Sequence, residues 1–370
     1  MKKRRRGGGI AARRAAGRAT GRASGRAANG WSGGDRVIKL TAERRREAAR
    51  RRASGAAPTG TTRAGTSRAG ASRAGTSRSG TSRSGTARIG PGGRVGAKGR
   101  GPEGGGEAID FHLAACVAAA RAGGRVLLDH WGRRGSFAVR EKGRNDFVTI
   151  ADREAEDAIV RLVRARFPDH SIVAEESAPS EGTVGYKWYI DPLDGTTNYI
   201  HGYPLFCVSI GLADPQGMRA AVVFDPVRDE MFTAARGQGA FLNGQPIRVA
   251  RPGRLAQALL VTGIPFRSHD RIEQYLASFR AFMLGSSGIR RDGSAALDLA
   301  YVACGRYDGF WEMGLSSWDV AAGSLIVSEA GGVATDFQGR GSYITSGDII
   351  AASPDIHPLM LKVVRDAYGR

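Results

Sequence analysis

Apolar residues recur at intervals of three and four across positions 108–131 (AIDFHLAACVAAARAGGRVLLDHW), the spacing that lays one face of a helix against a core. A second amphipathic helix is predicted over 149–167. There Ala155, Ala158, Ile159, Leu162 and Val163 make one stripe, Asp152 and Glu154 lie in the first turn, and Pro168 stops the helix. Between the two, SFAVREK (136–142) reads as a short strand. SIVAEES (171–177) and KWYID (187–191) are β-rich segments that each finish in acidic residues, and FCVSIGLAD (206–214) and AAVVFDP (220–226) continue the strand pattern. From Arg271 onward, helical patterns at 271–283, 294–305, 317–332 and 357–368 alternate with a strand at 348–353. This mixed order predicts a layered α/β (α+β) fold, in one piece or two closely packed halves.

No such pattern precedes position 108. Residues 1–107 hold 27 Lys and Arg against 5 Asp and Glu, while 108–370 hold 28 against 30, so the formal net charge of +20 belongs to the N-terminal part. That part is Arg, Gly, Ala, Ser and Thr with almost no large apolar residues, and burial cannot offset the entropy of ordering it. The expectation is a long disordered basic arm over 1–107 and a folded domain over 108–370. Within the arm, Arg63, Arg68, Arg73, Arg78, Arg83 and Arg88 mark a five-residue repeat whose regular Gly suits neither helix nor strand. Residues 38–53 could form a short basic helix, without an apolar face to dock. The arm's charge suits non-specific contact with nucleic-acid backbones by counterion release. Its only aromatic residue is Trp31, too little for base stacking. A downstream translation start, near the folded region, is a further reading of such a disordered repeat.

MKKRRR is not followed by the apolar core of a signal peptide, and no run of eighteen apolar residues occurs, so neither secretion nor a membrane partner is expected. Cys116, Cys207 and Cys304 lie in apolar surroundings without CxxC spacing, which suits a reducing, cytoplasmic setting.

Candidate chemistry is acidic. Glu175 and Glu176 end one strand, DPLDGTTN runs from Asp191 to Asn198, and Asp319 sits in SSWDVAAG. Asp191 closes an apolar strand, Pro192 turns the chain, and Gly195 permits a tight approach to a helix start at Thr196. Carboxylates gathered so closely repel, and a bound cation is their natural partner. Oxygen donors without nearby His or Cys favour Mg²⁺ over Zn²⁺. Backbone N–H groups at the helix start suit a phosphate. The six histidines show no metal-binding spacing and read as structural or surface residues, and Trp318 as a wall beside Asp319. There is no GxxxxGK[ST] and no Cys or Ser nucleophile motif, which leaves direct attack by water.

DPLDGTTN, the Glu pair in AEES, and WDVAAG, in that order and spacing, resemble the inositol monophosphatase family, as do KGRNDFVTIAD, GSAALDLAYVACGRYDGFWE and GAFLNG. The resemblance covers essentially all of residues 108–370 and implies a layered αβαβα sandwich of the sugar phosphatase type, two or three Mg²⁺ per site, and a homodimer. It implies that Glu175, Asp191 and the Leu193 carbonyl hold one ion, and that Asp191, Asp194 and Asp319 hold another. Asp152 and Thr196 would orient the attacking water and take its proton. The N–H groups of Gly195 and Thr196 would bind phosphate oxygens, and Gly293, Ser294, Ala295 and Glu312 the alcohol. Lys142 would pair with a carboxylate, and Glu176, pointing away from Glu175 on a strand, would support the site. The implied reaction is hydrolysis of a small phosphorylated cyclitol or sugar, foremost inositol 1-phosphate. Histidinol phosphate, fructose 1,6-bisphosphate and 3′-phosphoadenosine nucleotides are the sister alternatives, and an RNA- or ribosome-linked role through the arm is the alternative of another class.

Overall fold

The computed structural model describes residues 110–132, 139–143, 146–265 and 269–369, with the backbone alone for 139–143 and 146–148. The basic arm and the short helix expected at 38–53 lie outside the described residues.

Helix α1 (Phe111–Trp131) begins where Asp110 Oδ1 accepts the amides of His112 (2.8 Å) and Leu113 (3.2 Å), satisfying two N–H groups that the first turn leaves without partners. Its length and composition would allow it to cross a membrane, but its buried face is Ala115, Cys116, Ala119, Ala120, Gly123, Gly124 and Leu127. Those small residues let it lie close on its neighbours. A methyl group on Gly124 would strike the Phe224 ring, and one on Gly123 would strike Ile159. The strand expected at 136–142 is the first half of an antiparallel hairpin, β1 (Val139–Gly143) and β2 (Asp146–Thr149). Helix α2 (Ile150–Arg166) follows directly.

A seven-stranded sheet comes next, in the order β3 to β9: β3 (Ser171–Ala174), β4 (Lys187–Asp194), β5 (Cys207–Asp214), β6 (Gly217–Asp225), β7 (Glu230–Ala235), β8 (Ala240–Leu242) and β9 (Gln245–Ile247). The β3–β4 pair is parallel and every later pair antiparallel. Short helix α3 (Thr196–His201) links β4 to β5. The second sheet has five strands in the order β11-β10-β12-β14-β13: β10 (Leu259–Thr262), β11 (Gly288–Arg290), β12 (Gly309–Glu312), β13 (Val333–Thr335) and β14 (Ile349–Ala352). Its helices are α4 (Ile272–Gly285), α5 (Ala295–Ala303), α6 (Ser317–Glu329), α7 (Tyr343–Ser346) and α8 (His357–Tyr368).

Strand alternation assigns these elements to layers. Ala221 and Val223 of β6 share a core with Leu297 and Val302 of α5, Ile326 of α6, and Phe310 and Ile349 of the second sheet. Ala220, Val222 and Phe224 point the other way, into a core with Ile159 of α2 and Leu127 of α1. Likewise Trp311, Ile350 and Ala352 face Phe282 of α4 and Met360 of α8. The order is therefore helix, sheet, helix, sheet, helix, the expected five-layer sandwich. Helices α5 and α6 are buried all round, which is why their sequences carry hardly any polar face.

Candidate active site

Strand β4 does not end at Asp191 as the sequence pattern suggested. It runs through Pro192 to Asp194, and its pairing with β5 slips between Asp191↔Ser209 and Asp194↔Cys207. A bulge is one of the few places where a strand tolerates proline, since no ladder N–H is missed. The extra residue also shifts the two-residue alternation, so that Asp191 and Asp194 reach the same cavity. Gly195 then takes φ +95°, and a methyl group there would sit 3.1 Å from the Leu205 carbonyl oxygen. Only glycine makes this step into α3 without strain.

Asp319 arrives from the opposite side. It is the third residue of α6 and accepts the Ser316 amide through Oδ2 at 2.7 Å, one half of a capping box. Gly211 lets α6 approach β5, because a methyl group there would meet Ala321 and the Ala322 amide. Ser209 Oγ fixes the helix start by donating to the Trp318 carbonyl at 3.2 Å. Asp152 occupies the same position in α2. Its Oδ2 accepts the Thr149 amide at 2.9 Å and the Thr149 hydroxyl at 2.5 Å, while Oδ1 accepts Thr196 Oγ1 at 3.3 Å. That hydroxyl also reaches the Leu193 carbonyl at 3.0 Å, so one proton serves two acceptors.

Glu175, Asp191, Asp194 and Asp319 line one cavity of about 480 Å³, together with Leu193, Gly195 and Thr196. Burial pushes the Asp191 carboxyl well above the usual carboxylate range, and the charges of Glu175, Asp194 and Asp319 push it further. Asp194 is raised by burial too, against the hydrogen bonds it accepts from Ser294 Oγ (2.7 Å) and the Ala296 amide (2.7 Å). Burial lifts Asp152 to about 7, against its bonds from Thr149 and with help from Glu176 and Glu175. Among the described residues no three His, Cys, Asp or Glu side chains close into a compact metal cluster. The four carboxylates nonetheless share one cavity. An all-oxygen set whose members raise one another's affinity for protons fits a hard divalent cation.

Gly293 (φ +88°), Ser294, Ala295 and Glu312 line the same cavity. Asn198 of α3 holds the segment before Gly293, its Nδ2 donating to the carbonyls of Leu205 and Asp292, each at 2.9 Å. Glu176 does not line the cavity. Its amide donates to Glu156 Oε2 at 2.8 Å, which anchors the turn that carries Glu175. Lys142 is on β1, where side chains lie outside the described residues. Sequence reading passed over Arg291, Asp298 and Gly263, and it took His201 as structural or surface, yet all four line the cavity. A side chain at Gly263 would displace the Glu312 carboxylate from its present position. His201 had a signal in its place three residues after Asn198, and Asp298 in its place within GSAALDLAYVACGRYDGFWE; Arg291 and Gly263 had none, because they belong to segments that only the fold brings to the cavity.

Residues 110–368 match the profile of the inositol monophosphatase family. The chain is 47% identical over 252 residues to a protein of Pseudomonas aeruginosa named Nus factor SuhB, covering 67% of this chain and 93% of that protein. It is 45% identical over 251 residues to the Nus factor SuhB of Escherichia coli K12, covering 68% and 94%. Among solved structures, the extragenic suppressor protein SuhB of Bartonella henselae superposes with a TM-score of 0.66 at 41% identity, over 69% of this chain and 98% of that one. The inositol monophosphatase of Anabaena superposes with a TM-score of 0.61 at 41% identity, over 69% and 95%.

Proposed function

The chain belongs to the inositol monophosphatase family, and from that premise we propose that it is a Mg²⁺-dependent phosphatase that hydrolyses small phosphate monoesters, foremost inositol 1-phosphate, with water as nucleophile. The observation that carries this reading is one cavity lined at once by Glu175, Asp191, Asp194 and Asp319, with Thr196 bonded to Asp152 at its edge.

Glu175, Asp191 and the Leu193 carbonyl would hold one Mg²⁺, and Asp191, Asp194 and Asp319 another; when bound, the ions supply acidity toward water and neutralise charge on the phosphoryl oxygens. Asp152 takes the proton of the attacking water through the Thr196 hydroxyl, whose bond to Oδ1 already points the relay at a buried acceptor. The Gly195 and Thr196 amides hold phosphate oxygens. Gly293, Ser294, Ala295 and Glu312 orient the alcohol, with Glu176 and Lys142 in support. A cytoplasmic setting accords with three free thiols, and a homodimer is carried over from the family.

The direct test is phosphate release from inositol 1-phosphate by wild type and Asp191→Asn, each with and without Mg²⁺. Expected is Mg²⁺-dependent release that falls at least ~100-fold in the variant, since even groups behind a ligand are worth ~10–100-fold. Release from another monoester alone would move the substrate to a sister branch. Silence on every monoester would sink the reading.

A second reading has its own observation, the 27 Lys and Arg against 5 Asp and Glu in residues 1–107; the relatives named Nus factors, at 44–47% identity, match 67–69% of this chain. On that reading the arm contacts RNA through its charge. Affinity for RNA should then fall steeply with salt in the full chain and be weak at all salt concentrations in residues 108–370. Equal binding by the truncated chain would dismiss it.

A further inference from the structure

The alcohol side of the cavity holds one group that the phosphatase reading leaves without work. Asp298, the fourth residue of α5, is 1% exposed and lines the same cavity as Glu312 and Arg291. Its Oδ1 is closed to bulk water and has no hydrogen-bond partner among the described residues. Its amide is spent within the helix, donating to the Ser294 carbonyl at 2.9 Å. Neighbouring acids do not explain it either. Asp292 is held by the Tyr307 hydroxyl at 2.5 Å, and Asp194 by Ser294 and Ala296.

A buried acceptor without a donor is unfavourable, and native proteins keep few of them. Replacing Asp298 by an apolar residue would remove that cost if the position served packing alone, because Leu297 and Leu299 beside it are fully buried hydrophobics. A ligand hydroxyl entering the cavity would supply the missing donor. Asp298 and Glu312 line one cavity, so two hydroxyls of one polyol can be read at once. Aryl and simple alkyl phosphates lack such hydroxyls and would leave the acceptor unmatched.

Resting on the phosphatase reading above, we propose that Asp298 is a specificity-determining residue, its carboxyl hydrogen-bonding a hydroxyl on the alcohol half of a polyol phosphate. Sites built to bond a hydroxyl discriminate strongly against ligands without it, because the buried polar group is then left unpaired. The group acts on choice of substrate and not on the attacking water, which is handled at Asp152 and Thr196.

The test uses the full chain with Mg²⁺ and compares kcat/KM for inositol 1-phosphate with kcat/KM for p-nitrophenyl phosphate, in wild type, Asp298→Ala and the isosteric Asp298→Asn. The ratio of the two constants is expected to fall about tenfold in the alanine variant and a few-fold in the asparagine variant, whose amide still bonds a hydroxyl but more weakly than a charged or acidic partner. A ratio that stays within about twofold of wild type in whichever variants fold would overturn the proposal, whether both activities drop together or neither moves. Should the wild type cleave neither ester, the reading of inositol 1-phosphate as substrate fails on its own. The subsite is then read by calorimetric binding of myo-inositol, where affinity lost in the variants supports the assignment and affinity unchanged removes it.

Discussion

Asp191 carries two opposed demands. It is 2% exposed, and the charges of Glu175, Asp194 and Asp319 all raise its carboxyl's affinity for a proton. A residue kept in so unfavourable a setting lowers the stability of the fold that holds it, a cost common at functional sites. The neutral, nearly isosteric Asp191→Asn should therefore unfold at a higher temperature than wild type when both are free of Mg²⁺, while losing activity. Addition of Mg²⁺ should raise the melting temperature of wild type and move the variant much less. Thermal unfolding with EDTA and with saturating Mg²⁺ checks both, and a variant that melts lower than wild type in EDTA would show that the carboxylates do not strain the site. The motif DPLDGTTN announced this residue. The bulge that turns Asp194 to the same side was hidden, because a register slip is decided by pairing with β5 and leaves no mark in the motif.

Two helix starts supply two of the acids by one device. Asp152 and Asp319 are each the third residue of a helix whose cap, Thr149 or Ser316, closes a capping box. The first-turn acid that sequence reading could explain by the helix dipole alone is a cap and a site group at once: one carboxylate oxygen holds the helix end and leaves the other for chemistry. Thr149→Ala should cost about 1 kcal/mol of stability through the lost cap, and it also withdraws the 2.5 Å hydroxyl bond to Asp152 Oδ2. Activity should fall about tenfold, in the manner of groups that orient a functional residue, and Thr149→Ser should restore both. Urea unfolding and kcat of the three proteins decide it; a stability loss with kcat intact would leave the cap a purely structural one. At other elements the pattern was less informative. Strands β8 and β9 escaped sequence reading because they are only three residues each, too short to show alternation. The helix at 108–131 was found within three residues of its start, since Asp110 sets that start locally.

In the outer layer His112 and His170 pack against Tyr186, with ring centroids 5.2 and 4.6 Å away, and against each other at 6.4 Å, and Trp188 Nε1 donates to His170 Nδ1 at 3.0 Å. Burial holds both imidazoles below their ordinary value; Arg219 lowers His112 further against Asp110 and Asp214, and the charge of His112 lowers His170 further against Asp169. With the folded value depressed, their contribution is present above the unfolded value of about 6.5 and fades as pH falls below it toward the folded one. His112→Phe, which keeps a stacking ring but cannot be charged, should flatten that acid limb. Melting temperatures between about pH 5 and pH 8 test this, and a limb unchanged in the variant would place the titration elsewhere. The sequence by itself determined the long helices, the alternating strands and the identity of the acids, because periodicity, caps and short motifs act over a few residues. It also separated the basic arm from the rest by charge alone. Tertiary structure alone decided that α5 and α6 are sandwiched between two sheets, that Asp319 meets Asp191 across β5, and that Asp298, Arg291, Gly263 and His201 line the same cavity. Those juxtapositions join segments up to more than a hundred residues apart in the chain, and only packing of whole layers brings them within reach of one ligand.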